Sequence, residues 1–344
     1  MFTDIWTYLK STDRPIILYG TGNGADKIYA ELERLGIKVR GVFASDGFVR
    51  ERYYKGFKVL SLAEAEKEFD DFIALFCFGS SRSEVLENIK HILKRHTLLA
   101  PEVPVYGKEI FNIDFVRKHQ KELEQVYSLL CDDISRNVFE QTVLFKLDGN
   151  INRLFACETD VDESFDNILK LSPKTSFLDL GAYNGDTVLD FANRVPDFSH
   201  ISAVEPDAKN FKKLCNNTSH LNINAVNAAV SSYCGTAHFS TKSSRGSSIG
   251  SGLTSIPCIN VDSLNPETPF NYIKFDVEGA ESEAILGAKQ TILDSKPKMK
   301  IACYHRSEDY YQIPLEVFAI RDDYKLYMRH FPGVPAWDTD FYFV

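Results

Sequence analysis

The sequence is poor in the residues that build metal clusters and disulfide frameworks. Of its 344 residues, 7 are cysteine, 3 are methionine and 2 are tryptophan. The cysteines are odd in number, scattered, and never in C-x-x-C spacing. That distribution fits reduced thiols and offers no zinc site. We therefore expect a cytoplasmic protein and predict no metal.

A long apolar run is also missing. The longest buried-looking segment, FIALFCF (72–78), has the length of a strand and is far short of a membrane span. The first residues carry acids at Asp4 and Asp13 and do not resemble a signal peptide. We expect no membrane-spanning segment.

An excess of positive charge is the third absence. The formal net charge is −9, which argues against nucleic acid or an acidic membrane surface as the main partner. Apolar residues make up 44% and charged residues 25%, as in an ordinary globular protein. At this length, two α/β units are the natural expectation.

Strand and helix patterns alternate in two separate stretches. Residues 15–99 read as a small parallel sheet with helices on both faces, a Rossmann-like unit. Prolines 101 and 104 then interrupt the pattern, and residues 112–146 have helical spacing. We predict a small domain over 1–100, a bridging helical segment over 101–170, and a second α/β domain over 171–344.

The second domain has an unusual number of strands. SFLDLG, HISAVE, NINAVNA, NYIKFD and KMKIACY read as five strands with intervening helices. The tail from residue 323 holds two more strands around a Gly/Pro turn, which predicts an antiparallel hairpin. The fold class is therefore α/β, with the outline of the seven-stranded, mostly parallel sheet of class I methyltransferases.

A glycine turn follows the first strand of this domain, in SFLDLGAYNGDT (176–187). Its spacing, D-x-G-x-x-x-G, uses Asp179, Gly181 and Gly185 and differs from a dinucleotide fingerprint. An acid before the turn suits the sulfonium and ammonium groups of S-adenosylmethionine better than a pyrophosphate. The plainer interpretation makes Asp179 a helix cap and the glycines a tight turn. The predicted cofactor loop also includes Ala182, Tyr183, Asn184, Asp186 and Thr187.

Glu205 ends the next strand, in AVEPD, where a carboxylate can accept both ribose hydroxyls of an adenosine ligand. NAD and S-adenosylmethionine share that feature. Pro206 follows it, and Asn227 and Ala228 after the third strand are placed to meet the adenine edge.

The fourth and fifth strands supply candidate catalytic residues. Asp276 and Glu278 share a face by the period of two, and both are predicted to bind the cofactor. Asp276, which opens on the same cleft as Asp179, is also a candidate for orienting the methionine moiety or the acceptor hydroxyl. His305 follows the fifth strand, and its ordinary pKa suits a general base; a structural role at a strand end is equally open. His330 is a rival. Two carboxylates and a histidine could bind a divalent metal, but no fixed ligand spacing demands one.

Several motifs, in order, resemble the FkbM family of methyltransferases. They are FLDLGAYNGDT, AVEPDAKNFKKL, YIKFDVEGAE, PKMKIACYHRSEDYYQIP and YKLYMRHFPG…WDTDFYFV, and the resemblance covers roughly residues 120–344. It implies O-methylation dependent on S-adenosylmethionine, often of sugars in glycans and of polyketide-type products. It also implies that Asp179, Gly181, Gly185 and Glu205 bind the cofactor. The extra unit at 1–100 departs from a minimal member.

The other glycine turn, YGTGNGA (19–25), stands in the correct context for a nucleotide loop, after a strand and before a helix. Gly20, Gly22 and Gly24 would form it, with Asp46 near the end of the next strand. A nucleotide or nucleotide-sugar site and a packing domain that only retains the loop are both open.

The sequence thus predicts an S-adenosylmethionine-dependent O-methyltransferase that acts on a saccharide or related hydroxylated metabolite. A non-catalytic nucleotide- or glycan-binding protein and an NAD-dependent sugar oxidoreductase are the alternatives. The expected partner is a small-molecule or glycan acceptor, and the chain could also form a homo-oligomer. Acceptor specificity is expected in SSRGSSIGSG (243–252) and the bridging helices.

Overall fold

A computed structural model of the chain describes residues 3–45, 53–240, 248–249, 254–264 and 269–344. Asp46, predicted for the first glycine turn, and most of the segment 243–252, predicted for acceptor specificity, lie outside these residues. Among the described residues, no helix combines the length and apolar character needed to cross a bilayer.

An N-terminal α/β domain surrounds the first sheet. Its strands are β1 (Ile16–Tyr19), β2 (Val39–Phe43), β3 (Tyr53–Tyr54), β4 (Phe57–Leu60), β5 (Ile73–Phe76) and β6 (Thr97–Leu99). Its helices are α1 (Ile5–Ser11), α2 (Asn23–Arg34), α3 (Leu62–Glu68) and α4 (Ser83–Leu93). Within the described residues the strands run in the order β3-β4-β2-β1-β5-β6, parallel except for β3. Every residue of β1 and β5 is buried, as expected for central strands covered on both faces.

Helices follow between the two sheets. They are α5 (Ile113–Lys118), α6 (Gln120–Leu129), α7 (Asp133–Asp148), α8 (Asn152–Phe155) and α9 (Val161–Glu163), and a π-helical turn covers Ser164–Leu169. The Asp132 side chain caps α7, and Gly149, with φ of +67°, ends it. Phe139 of α7 packs in the core of the second sheet, while Phe145 packs in the core of the first. One helix therefore contributes to both cores.

The second sheet confirms the predicted fold class. Its five parallel strands are β7 (Ser176–Leu180), β8 (His200–Val204), β9 (Asn224–Val226), β14 (Tyr272–Phe275) and β15 (Lys298–Ala302). The predicted hairpin consists of β16 (Leu326–His330) and β17 (Thr339–Phe343). In the described part of the chain the order is β16-β17-β15-β14-β7-β8-β9, and β17 is antiparallel to both neighbours.

Further elements cover the sheet. The helices are α10 (Asp186–Arg194), α11 (Ala208–Asn217), α12 (Glu281–Leu286), α13 (Lys289–Ser295) and α14 (Asp309–Ile320), with a 3₁₀ turn at Val261–Ser263. A small additional sheet, in the order β10-β13-β11-β12, consists of β10 (Ala229–Val230), β11 (Gly235–Ser240), β12 (Ser248–Ile249) and β13 (Thr254–Ile259). The sequence did not predict this sheet, because its strands are short and surround the Ser/Gly-rich segment.

The N-terminal domain contacts the second sheet beside the C-terminal hairpin. The backbone N–H groups of Ser80 and Val334 donate to each other's carbonyl oxygens, at 2.9 and 3.1 Å. Gly79 lies against the Trp337 ring so closely that a Cβ there would be 2.0 Å from it. Lys27 of α2 donates to the carbonyl oxygens of Pro104 and Val105, at 2.9 and 2.8 Å.

Candidate functional site

The carboxyl ends of β7, β8 and β14 open on a cavity of about 420 Å³. This is where open α/β sheets bind ligands, because side chains and loops from neighbouring parallel strands converge there. The walls come from the second sheet, the linker and one loop of the N-terminal domain. The lining residues used below are Ser81, Val105, Gly181, Tyr183, Asp186, Thr187, Glu205, Pro206, Ala229, Val230, Lys274, Asp276, Glu278, Lys300, Tyr304, Trp337, Asp338 and Asp340.

Two glycines shape the floor of the cavity. Gly181 has φ of +85°, and a Cβ added there would lie 1.8 Å from the carbonyl oxygen of Asp276. Gly185 has φ of +88° and precedes α10, where a Cβ would lie 3.0 Å from side chains of α11. Since both positions are left-handed and crowded, glycine is needed here for the chain itself as well as for any ligand.

Glu205 is the carboxylate that faces this floor. Its Oε2 accepts a hydrogen bond from the Tyr183 N–H at 2.9 Å, and its Oε1 accepts one from the Asp207 N–H at 2.8 Å. Burial raises the pKa of Glu205 to about 7, although the two N–H donors favour the ionised form. The carboxylate is thus held rigidly, with its remaining lone pairs available to hydroxyl groups.

Asp179 lies beneath the cavity and does not line it. Its side chain is fully buried, and Oδ1 accepts a hydrogen bond from Lys274 Nζ at 3.2 Å. Burial raises the pKa of Asp179, and Lys274 partly offsets this effect. Its Oδ2 has no hydrogen-bond partner among the described residues. One buried acceptor atom of Asp179 therefore remains for a ligand group or water.

Lys274 links Asp179 to the cavity wall. Its Nζ lies 3.4 Å from Asp276 Oδ2, and Asp276 Oδ1 accepts a hydrogen bond from the Tyr304 hydroxyl at 3.1 Å. Burial alone would raise the pKa of Asp276, but the charges of Lys274, His305 and Lys300 lower it. Asp276 therefore presents an ionised carboxylate on the wall.

A second ion pair joins the half-buried Lys300 to the buried Asp340 at 3.1 Å. Both residues line the cavity, and strand pairing places Lys300 of β15 directly beside Lys274 of β14. Two lysines on adjacent buried strands are compensated here by three aspartates, namely Asp179, Asp276 and Asp340. The pairs supply fixed positive and negative groups under the cavity.

His305 lies behind the wall rather than on it. Its side chain is fully buried; Nδ1 lies 2.9 Å from Glu281 Oε1, and Nε2 lies 3.6 Å from Asp276 Oδ1. Burial would lower the pKa of His305, but the carboxylates of Glu281, Asp276 and Glu278 raise it to about 10. A buried imidazole that already holds its proton is poorly suited to accept one from a substrate, so this geometry does not support the predicted role as general base. His330, the rival, is also buried, and its Nδ1 lies 2.9 Å from the Thr339 hydroxyl oxygen.

The predicted cofactor residues divide into two groups. Gly181, Tyr183, Asp186, Thr187, Glu205, Pro206, Asp276 and Glu278 line the cavity together. Asp179, Ala182, Asn184, Gly185, Asn227 and Ala228 lie next to it and support those residues. The Asn227 side chain, for example, donates to the Glu205 carbonyl oxygen at 2.8 Å. Ala229 and Val230 line the wall where Asn227 and Ala228 were expected.

The first glycine turn has a different environment. A Cβ on Gly24 would lie 2.4 Å from the Cys77 carbonyl oxygen, and one on Gly20 would lie 2.7 Å from the Phe78 ring. Around Gly22, by contrast, no described atom would lie within 4 Å. Packing against the end of β5 thus explains two of the three glycines, and nucleotide binding at this loop stays a prediction.

Sequence reasoning missed several residues of the wall. Lys274 and Lys300 carried a usable signal, since a lysine inside an apolar strand such as YIKFD is exceptional. Ser81, Val105 and Trp337 carried none, because only tertiary contact between the two α/β units brings them to the cavity.

Comparison with known proteins first identifies the class. A crystal structure of Methyltransferase FkbM from Methylobacillus flagellatus KT superposes with a TM-score of 0.74 at 19% identity, covering 98% of this chain and 92% of that one. Precorrin-6y C5,15-methyltransferase from Geobacter metallireducens GS-15 shows a partial likeness, with a TM-score of 0.34, 12% identity, and coverage of 51% and 81%. The first of these likenesses shows a methyltransferase fold over nearly the whole chain. No curated protein matches the chain significantly.

A family model matches part of the sequence. Residues 179–327 match the family model described as Methyltransferase FkbM domain. The predicted resemblance to FkbM methyltransferases is therefore confirmed over these residues.

Proposed function

We propose that the protein is an S-adenosylmethionine-dependent O-methyltransferase that acts on a hydroxyl group of a saccharide or related hydroxylated metabolite. The main support is the cavity at the carboxyl ends of β7 and β8. There the Gly181 turn and the rigid Glu205 carboxylate face the same space. The proposal includes a small-molecule or glycan acceptor and a cytoplasmic location for the protein.

The residues present fit an adenosyl ligand. Glu205 can accept both ribose hydroxyls while its own N–H donors hold it in place. Pro206, Ala229 and Val230 offer an apolar wall for an adenine ring. The methionine part would then extend past Gly181 towards Asp276, above the buried acceptor atom of Asp179. When bound, S-adenosylmethionine supplies an electrophilic methyl group.

The opposite side of the cavity fits a polyhydroxylated acceptor. Asp276 and Asp340 are carboxylates on this wall, Tyr304 adds a phenol, and Trp337 adds a half-buried aromatic face. We assign Asp276 the task of orienting the acceptor hydroxyl and taking its hydrogen bond. Lys274 and Tyr304 hold the two oxygens of Asp276 from either side. Such positioning can supply most of the rate of a transfer reaction.

His305 acts in this proposal as a positioning residue. It approaches Asp276 and Glu278 from behind, with Nε2 at 3.6 and 3.7 Å from their carboxylate oxygens. Its charge favours their ionised forms and fixes the wall that faces the acceptor.

Calorimetry of the purified chain against S-adenosylmethionine, S-adenosylhomocysteine and NAD tests the proposal. We expect saturable binding of both sulfur ligands and no comparable heat with NAD. Binding of NAD alone would overturn the proposal and favour an oxidoreductase. The variant Glu205→Gln should bind the sulfur ligands more weakly, whereas the matched control Glu283→Gln, at an exposed position away from the cavity, should bind them like the unchanged protein.

The acceptor is then found by incubating the protein with methyl-labelled S-adenosylmethionine and a panel of hydroxylated compounds. Saccharides should accept label on oxygen, as shown by the methoxy signal of the product in nuclear magnetic resonance. Label found only on amines or carbons would contradict O-methylation, although methyl transfer itself would stand.

A further inference from the structure

Three side chains that the proposed reaction does not use as contacts meet behind the cavity wall. Glu281 begins α12, His305 follows β15, and Asp309 begins α14. Each is at most 2% exposed. Their ligand atoms, two carboxylate oxygens and one imidazole nitrogen, all lie within 4.8 Å of one another. Elements distant in sequence thus bring one imidazole and two carboxylates to a single buried point.

Polar atoms in this cluster lack hydrogen-bond partners. Among the described residues, neither ring nitrogen of His305 makes an aligned hydrogen bond, and Glu281 Oε2 has no partner. Buried polar atoms are almost always satisfied, so Glu281 Oε2 and the ring nitrogens of His305 leave hydrogen-bonding or ligand capacity for a further group. A divalent cation that replaces the proton between His305 Nδ1 and Glu281 could contact all three ligands.

Backbone N–H groups hold both carboxylates in place. Glu281 Oε1 accepts from the Val277 N–H at 2.9 Å, and Asp309 Oδ2 accepts from the Arg306 N–H at 2.7 Å. Backbone donors of this kind orient carboxylates that ligate metals. The 2.9 Å separation of His305 Nδ1 from Glu281 Oε1 also matches two adjacent ligands that each lie about 2.1 Å from an ion.

His305 has the two-sided arrangement of a metal ligand. Nδ1 faces Glu281, while Nε2 faces the Asp276 and Glu278 carboxylates on the cavity wall, at 3.6 and 3.7 Å. Ligating histidines commonly present their second ring nitrogen to a carboxylate, which fixes the tautomer and the ring orientation. The same carboxylates connect the cluster to the cavity.

We propose that Glu281, His305 and Asp309 bind a divalent transition-metal ion behind the cavity wall. Imidazole and carboxylate ligands together suit Zn²⁺ or Mn²⁺ better than Ca²⁺ or Mg²⁺, which prefer oxygen alone. The ion fixes the His305 ring and, through Nε2, the carboxylates that face the acceptor. It touches neither cofactor nor acceptor.

Metal uptake by the full-length protein tests this site. The chain is stripped with a chelator and titrated with MnCl₂ and, separately, with ZnCl₂ by calorimetry. We expect one equivalent to bind. Glu281→Gln and Asp309→Asn should each weaken binding by about tenfold to a hundredfold or abolish it. Glu283→Gln, the same substitution on an exposed position of the same helix, should bind like the unchanged protein.

Two measurements keep the test decisive if a buried variant folds poorly. Near-ultraviolet circular dichroism identifies folded variants. Pulsed electron paramagnetic resonance of the Mn²⁺-loaded unchanged protein should show coupling to one imidazole nitrogen. Failure to bind either metal would overturn the proposal, as would Mn²⁺ without nitrogen coupling. Binding that survives in folded Asp309→Asn but disappears in Asp276→Asn would place the ion in the cavity instead and also overturn it.

Discussion

The two glycine turns of this chain look alike in sequence but differ in their surroundings. In both, glycine permits a close approach to a neighbouring strand end, at Cys77 for Gly24 and at Asp276 for Gly181. The difference lies in the next strand. Directly after β8 comes the Glu205 carboxylate, whereas after β2 the described residues are Ala44 and Ser45, and the Ser45 hydroxyl lies 2.5 Å from the Tyr19 hydroxyl. A glycine pattern therefore indicates close packing of strands and helices. The residue that follows the adjacent strand is the better indicator of which ligand could bind.

Replacing one glycine in each turn by alanine should give the largest difference between the two turns, measured as a loss of folding free energy. Gly181→Ala would place its Cβ 1.8 Å from the Asp276 carbonyl oxygen at φ of +85°. We expect it to lose about 3 kcal/mol or more of folding free energy. Gly22→Ala, with open space around it, should change stability by less than about 1 kcal/mol. Thermal unfolding followed by circular dichroism measures both, and equal losses would contradict the comparison.

Substitutions of the residues that follow β8 and β2 should give the next largest difference, measured as a change in cofactor affinity. Glu205→Gln should weaken S-adenosylhomocysteine binding about 30-fold, because charge-assisted bonds to the ribose contribute about 2 kcal/mol. Ser45→Ala, two residues after β2 in the first unit, should leave that affinity within about twofold. Calorimetry on both variants decides. A similar loss in Ser45→Ala would mean that the first turn takes part in the same site.

The pKa of Glu205 predicts how ligand affinity at the second turn depends on pH. Burial raises this pKa to about 7, and ligand binding favours the ionised form. Affinity for methylthioadenosine, which has no ionisable group in the neutral range, should be constant above about pH 7 and fall by up to tenfold per unit below it. The fall should be absent in Glu205→Gln. Fluorescence titration across the range measures it, and a flat profile in the unchanged protein would count against the role of Glu205.

The smallest effect on cofactor affinity is expected where the N-terminal domain contacts the linker beside the cavity. Lys27→Gln removes the bonds to the carbonyl oxygens of Pro104 and Val105, and only Val105 borders the cavity. We expect a stability loss of about 1 kcal/mol and cofactor affinity unchanged within about twofold. A larger change in affinity would show that the linker shapes the cofactor site.

The fold was largely predictable because its signals are local. Apolar runs and the terminal hairpin predict the seven strands, and strand-end reasoning finds Glu205. The pairing of Asp179 with Lys274 was not predictable, since it depends on the register of β7 against β14, strands 95 residues apart. The burial of His305 was missed for the same reason, because Glu281 and Asp309 reach it only through the packing of α12 and α14.

The long helix α7 sets a practical limit on dividing this protein. Phe139 packs in one hydrophobic core and Phe145 in the other, so this helix is part of both α/β units. A fragment cut to the family match at 179–327 would lose this helix and leave apolar surface open to water. The smallest piece able to fold by itself is therefore larger than the recognisable family segment, and expression trials of isolated halves should carry the helix with them.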